Sequence, residues 1–199
     1  EYVELYSDHV DARLDLEGTD FLATVRYSIV APVLSTWLIT FEAIQRKEAL
    51  AADFLSIICC LERTSIPRWL LPKATGATAG KVINALGTLR AYSFINMRLD
   101  GKSFDVHRLV YQAGRYWLSH GEGFTSWTSK AATHIERMLP EVFNNEKVKA
   151  LTLLPHVLCL LDSEHLSLSD PRVEHQLRYK AAWYLSHRGD YSRAETMAR

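Results

Sequence analysis

Apolar residues recur at helical spacing along most of the chain. A spacing of three and four residues places them on one helix face, which must be covered by a partner surface. We therefore predict helices around segments 3–14, 36–44, 50–61, 82–89, 109–117, 127–138, 151–161 and 177–185. Ser65 is expected to cap a further short helix through Pro67 and Leu71, since proline is tolerated in a first helical turn.

One stretch departs from helical spacing. Segments 95–99 and 104–106 alternate between apolar and polar residues, as in a strand whose successive side chains point to opposite faces. Asp100 and Gly101 lie between them and are residue types that a two-residue type I′ turn requires. The stretch predicts a β-hairpin.

The order of these elements predicts a mainly α fold. Helices, the hairpin and another helix follow one another over residues 36–120, which is the order of a winged-helix domain. Residues 121–199 predict only helices, and the Gly189-Asp190-Tyr191 sequence falls as in a tetratricopeptide repeat. We expect a winged-helix domain with one small hairpin, followed by antiparallel helical repeats that are truncated at Arg199. Residues 21–35 lack helical periodicity and are expected to form a linker.

Charge and cysteine content narrow the functional classes. Lys and Arg total 23 and Asp and Glu total 23, so no net field draws the chain to nucleic acid or an anionic membrane. The three cysteines lie in apolar stretches without metal-ligand or disulfide spacing, which favours reduced core thiols. No targeting or membrane-spanning sequence is evident. We expect a cytoplasmic segment of a larger protein.

Two sequence patterns resemble catalytic motifs, but neither meets the requirements of its motif. Gly76, Gly80 and Lys81 resemble a phosphate-binding loop, but the glycine spacing is one residue short and Val82 replaces the required hydroxyl residue. Cys159 lies three residues after His156, yet it is surrounded by leucines that would bury and quiet its thiol. The sequence therefore predicts no enzyme, no cofactor and no metal in this chain.

Three segments carry a family resemblance. Residues 36–44, 51–55 and 66–71 resemble fungal NB-ARC proteins of the STAND (NLR-like) class, as does the Leu153-Leu154-Pro155-His156-Val157 sequence later on. The resemblance implies that residues 1–20 end a helical subdomain, and that an upstream nucleotide-binding domain of the same polypeptide holds ADP or ATP. It also implies that the repeats bind a protein or peptide ligand, and that the parent protein forms a homo-oligomer.

The hairpin-to-helix junction at residues 104–110 resembles the Met-His-Asp motif of such winged helices. That resemblance implies that His107 contacts the β-phosphate of ADP, with Val106 in place of methionine and Arg108 in place of aspartate. Arg108 is a weaker candidate contact, because it reverses the charge of the family's residue. A histidine at a helix start lies where backbone N–H groups favour anions. The alternative is that His107 only caps the helix.

Two other functions are kept as alternatives. A winged helix can insert a helix into the DNA major groove, but the predicted helix around 82–89 carries only Lys81, Asn84 and Arg90. The hairpin adds Arg98 and Lys102, which is a small positive set for phosphate contacts. The other alternative is a plain interaction scaffold whose repeats bind peptides without any link to a nucleotide.

Overall fold

A computed structural model describes residues 36–72, 78–120, 123–142, 146–168 and 170–198. The predicted helix at 3–14, the linker at 21–35 and Gly76 lie outside these residues.

The described chain is mainly helical with one small antiparallel sheet, as the sequence predicts. A helix covers residues 36–47, here called α1. The elements that follow in chain order are α2 (Ala49–Ile58), β1 (Ile66–Pro67), a 3₁₀ turn (Arg68–Leu70), α3 (Ala79–Ala91), β2 (Ile95–Met97), β3 (Ser103–Val106), α4 (Arg108–His120), α5 (Phe124–Met138), α6 (Lys147–Leu161), α7 (Pro171–Arg188) and α8 (Tyr191–Ala198).

The predicted short helix is present only as a 3₁₀ helix at Arg68–Leu70, and a two-residue strand precedes it. Strand β1 pairs with β3, with Ile66 opposite Phe104, and the strand order is β1-β3-β2. Ser65 does not cap a helix, because it has a positive φ of 56° and leads directly into the strand. Pro67 is compatible with this position because β1 is an edge strand, where a missing backbone donor is tolerated.

The predicted hairpin is confirmed, but its turn is not type I′. A type I′ turn needs positive φ at both central residues, whereas Gly101 has φ 61° and Asp100 does not share that conformation. Asp100 instead accepts hydrogen bonds from the backbone N–H groups of Lys102 and Ser103, at 2.8 and 3.0 Å. A longer connection between Arg98 and Ser103 is thus stabilised by an aspartate side chain.

The predicted helices after residue 121 are confirmed, and a glycine forms the connection between the last two of them. Gly189 ends α7 with φ 87°, a left-handed conformation that glycine adopts without a Cβ clash. A repeat truncated at Arg199 predicts poor coverage of Tyr191, Ala194 and Met197; Tyr191 is exposed, but Ala194 and Met197 of α8 are buried. Helix α7 covers them, and it also packs against α5 and α6. The helix pairs begin at Phe124 and Pro171, farther apart than the roughly 34 residues of a tetratricopeptide unit.

The buried apolar residues form one cluster that extends from α1 to α8. Helix α2 is buried along most of its length, because it packs against α3, α4 and α5. Ile83 and Leu151, on predicted apolar helix faces, are instead 59% and 42% exposed. Leu99, predicted as an apolar strand position, is fully exposed, and β2 ends before it at Met97. The domain boundary near residue 121 stays a prediction.

Candidate nucleotide-contact site at the strand-to-helix junction

His107 lies between β3 and α4, and the strand before it is anchored on both sides. Phe104 and Val106 are buried, so strand alternation directs their side chains into the core. The backbone N–H of Val106 donates to the Arg63 carbonyl at 2.8 Å. Val106 stands in place of the methionine of the family motif. It is a core residue, and it holds the backbone directly before His107 in place.

Asp105 adds a polar anchor to the same strand. Its carboxylate accepts a hydrogen bond from the Ser65 backbone N–H at 2.6 Å and from the Arg98 guanidinium at 3.1 Å. Arg98 also donates to the Ser65 hydroxyl at 3.0 Å. These bonds connect the hairpin to the start of β1, so the strand that carries His107 is held by three segments of the chain.

The imidazole of His107 is exposed, and one of its nitrogens caps helix α4. The backbone N–H of Leu109 donates to Nδ1 at 3.3 Å, so this nitrogen is an acceptor and the proton of the neutral ring is assigned to Nε2. No described residue forms a hydrogen bond with Nε2. The capping role and a free ring edge therefore coexist in the same side chain.

A shallow groove of about 260 Å³ adjoins the His107 ring. The Trp37 ring lies 6.0 Å from the imidazole, and Trp37 stacks on Phe94 with ring centroids 5.9 Å apart. Tyr92 and Ser93 also line the groove, and Ser93 has a positive φ of 58°. Within the described part of the chain, no Lys, Arg, Asp or Glu lines this groove. No periodicity in the sequence signals this aromatic wall, although Tyr92 and Phe94 lie just before β2.

The surroundings of His107 are open to an anion. Helix α4 has no acidic residue in its first turn, so no carboxylate of that turn compensates the partial positive charge of its N-terminal N–H groups. Arg108 is exposed at the first helical position and adds a positive charge there. The two sequence-predicted site residues are thus adjacent and exposed.

The residues of the two rejected catalytic patterns lie in other parts of the described structure, and none of them lines the groove beside His107. Lys81 lies in the first turn of α3, where its backbone N–H bonds to the Thr78 hydroxyl at 3.4 Å. Cys59 and Cys60 are buried, and burial raises the pKa of Cys60 to about 11. Burial also raises the pKa of Cys159. The described residues contain no cluster able to hold a metal ion and no helix long and apolar enough to cross a bilayer.

Comparison with known proteins gives one informative similarity. No protein-family model matches the chain, and no solved structure matches it. A curated protein of Hyaloscypha variabilis, named "Nucleotide-binding leucine-rich repeat (NLR)-like protein", is 35% identical over 199 residues. The alignment covers 98% of this chain and 20% of that protein, so the chain spans about a fifth of its relative's length. This similarity supports a relationship between the chain and the NLR-like family.

Proposed function

We infer that this chain is a non-catalytic regulatory segment of a cytoplasmic NLR-like protein. In this proposal, residues 36–120 form a winged helix whose His107 contacts the phosphate of ADP held by an upstream nucleotide-binding domain. The helices after residue 121 form repeats that receive a protein or peptide ligand. The similarity to an NLR-like protein supports the family, and the element order supports the winged helix.

The observation that carries the proposal is the exposed imidazole of His107 at the N-terminus of α4. Its Nδ1 is used by the helix cap, while Nε2 has no hydrogen-bond partner among the described residues. An N–H at Nε2 can donate to a phosphate oxygen, and the helix N-terminus favours the same negative charge. A phosphate held by an upstream domain would thus join two domains through one side chain.

Such a contact acts as a switch only if it exists in one state. ADP bound between the upstream domain and His107 would stabilise the closed arrangement, because opening would remove the bond to Nε2. A ligand on the repeats that binds the open arrangement better would then shift the population toward assembly. Nucleotide hydrolysis, where it occurs, would belong to the upstream domain.

The test compares His107→Ala with His107→Asn in the full-length parent protein. Both variants remove the imidazole, but asparagine retains a side-chain oxygen that can cap the helix. A charge-assisted bond to phosphate contributes roughly 1.5 to 3 kcal/mol, so both variants should weaken ADP retention by about ten- to a hundredfold. Nucleotide co-purification measures the retained ADP, and size-exclusion chromatography measures the shift to larger assemblies.

The controls separate sensing from capping. Replacing His187 by Ala changes another exposed histidine, whose Nδ1 lies 3.0 Å from the Trp183 carbonyl on α7, and should leave ADP content unchanged. Arg108→Ala should lower ADP retention less than His107→Asn. Normal ADP content in a well-folded His107→Asn protein would show that His107 serves only as a cap.

A further inference from the structure

Two aromatic side chains stay partly exposed in the shallow groove beside His107, here called the aromatic groove. Tyr92 is 44% exposed and Trp37 is half-buried, and both line the groove. Each ring packs against the buried Phe94, with ring centroids 5.9 Å apart. Such rings are stabilised when a further apolar group removes their remaining surface from water. The aromatic groove is therefore suited to an apolar occupant.

The chain contains a segment of matching chemistry next to this groove. Residues 29–34 read Ile-Val-Ala-Pro-Val-Leu, without a charge or a side-chain hydrogen-bonding group, and are here called the apolar segment. They lie outside the described residues and end two residues before Thr36, which itself lines the groove. Consecutive Cα atoms are about 3.8 Å apart, so the Cα of Leu34 lies within about 8 Å of that of Thr36. The end of the apolar segment is thus tied to the groove by the backbone.

This tether favours the apolar segment over a free partner. A group joined to its site by a short connection has an effective concentration in the millimolar range, which a free protein or a second copy seldom reaches. The chemistry agrees, since no charged side chain of the described residues lines the groove to pair with a charged partner. The apolar segment has no charge to desolvate, so its burial carries no such cost.

The charges along the chain also favour contact within the molecule. Residues 1–35 contain seven of the 23 acidic residues but two of the 23 basic ones, whereas residues 36–120 contain 11 basic and six acidic residues. Residues 121–199 contain ten of each, so the excess positive charge belongs to the part that carries the aromatic groove. Opposite charges attract over roughly a Debye length, about 10 Å at 0.1 M salt. The part of the chain before Thr36 is therefore attracted to residues 36–120.

We propose that the apolar segment binds in the aromatic groove, where its aliphatic side chains cover Trp37 and Tyr92. Pro32 favours an extended path, because proline fixes its own φ and disfavours a helical conformation at the residue before it. Because His107 lines the same groove, the bound segment lies beside the imidazole and brings no charged group to its free Nε2. This docking goes beyond the proposed ADP contact and does not depend on it.

Tyrosine nitration of the full 199-residue chain, without nucleotide, tests the docking. Tyr92 and Tyr179 are similarly exposed in the described structure, at 44% and 54%, so a bare groove predicts similar rates. Tetranitromethane should instead modify Tyr92 several-fold more slowly than Tyr179, as measured by mass spectrometry. Leu34→Asp should remove this protection, because a carboxylate loses its hydration against aromatic rings. Val25→Asp adds the same charge outside the apolar segment and should keep the protection.

A double-mutant cycle tests whether Leu34 and Tyr92 share one contact. Leu34→Asp and Tyr92→Ala should each lower the melting temperature, and the effect of Leu34→Asp should be smaller when residue 92 is already alanine. Tyr179→Ala changes an exposed tyrosine of α7 and should leave the effect of Leu34→Asp unchanged. Both tyrosines are partly exposed, so their truncation leaves the core in place.

Three results would overturn the proposal. One is nitration of Tyr92 at the same rate in the unchanged chain and in Leu34→Asp. Another is additive effects of Leu34→Asp and Tyr92→Ala. The third is protection of Tyr92 that disappears on dilution, which would place a second copy in the groove. Because no measurement uses nucleotide, loss of the ADP contact would leave this docking standing, and an unprotected Tyr92 would leave the ADP contact standing.

Discussion

His156 is the buried residue whose chemistry is least satisfied. Its side chain is 1% exposed, and its Nδ1 has no hydrogen-bond partner among the described residues. Burial lowers its pKa below the usual 6.5, although the nearby carbonyls of Ser65 and Glu62 and the Glu62 carboxylate favour the charged ring. The folded protein therefore holds this imidazole neutral, while the unfolded chain charges it more readily.

This difference predicts acid sensitivity. The unfolded chain binds the His156 proton at a higher pH, so the free energy of unfolding should fall as pH is lowered from 6.5 to the folded-state pKa, and then level off. Each unit of lowered pKa contributes about 1.4 kcal/mol to the fall. Urea unfolding between pH 7.5 and about pH 5 measures the slope.

Replacing His156 by a residue that does not titrate should remove this dependence of the unfolding free energy on pH. His156→Gln is neutral at every pH in this range, so its unfolding free energy should vary less with pH than that of the unchanged chain, even if it is lower overall. His175→Gln removes an exposed histidine of α7 and should keep the original slope. Equal slopes for His156→Gln and the unchanged chain would show that His156 is not the group responsible.

At the scale of elements, a glycine sets how closely two helices approach. Gly114 is buried in α4, and a Cβ added there would lie 2.3 Å from the Cys59 sulfur at the end of α2. Helical glycine normally costs about 0.5–1 kcal/mol relative to alanine. The contact between α2 and α4 therefore outweighs helix propensity at this position, and it brings α4 close to the core beside Phe41.

Gly114→Ala should lower the free energy of unfolding by roughly 1–3 kcal/mol, because overpacking forces the Cys59 side chain or a helix to move. Cys59→Ala removes the clashing sulfur, so the double variant should recover part of the loss. A Gly114→Ala loss that is equally large with and without the Cys59 sulfur would refute the steric explanation. Chemical denaturation of the unchanged chain, the two single variants and the double variant measures these differences.

Gly87→Ala on α3 provides a control. A Cβ added at Gly87 meets no atom within 4 Å, so this variant should stabilise the chain by about 0.5–1 kcal/mol.

At the scale of the whole molecule, charge balance argues against DNA binding. Lys and Arg total 23, as do Asp and Glu. On α3, Lys81 and Arg90 are exposed, but Arg98 of the hairpin is already paired with Asp105 at 3.1 Å. A winged helix that binds DNA needs several phosphate contacts, since these supply much of the affinity.

We therefore expect weak duplex binding, at micromolar concentrations or above, at roughly 0.15 M salt. Fluorescence anisotropy with a labelled duplex measures it, and the slope of affinity against salt reports the number of phosphate contacts. Sequence-specific binding at nanomolar concentrations, lost on Lys81→Ala and Arg90→Ala, would instead favour the DNA-binding function.

Sequence periodicity determined most of the helices and the hairpin, because those elements repeat apolar residues at a local spacing. Tertiary structure decided what depends on distant partners. Strand β1 exists because Ile66 meets Phe104, and no local pattern signals that pairing. The sequence located His107, but only folding placed Trp37 and Tyr92 beside it.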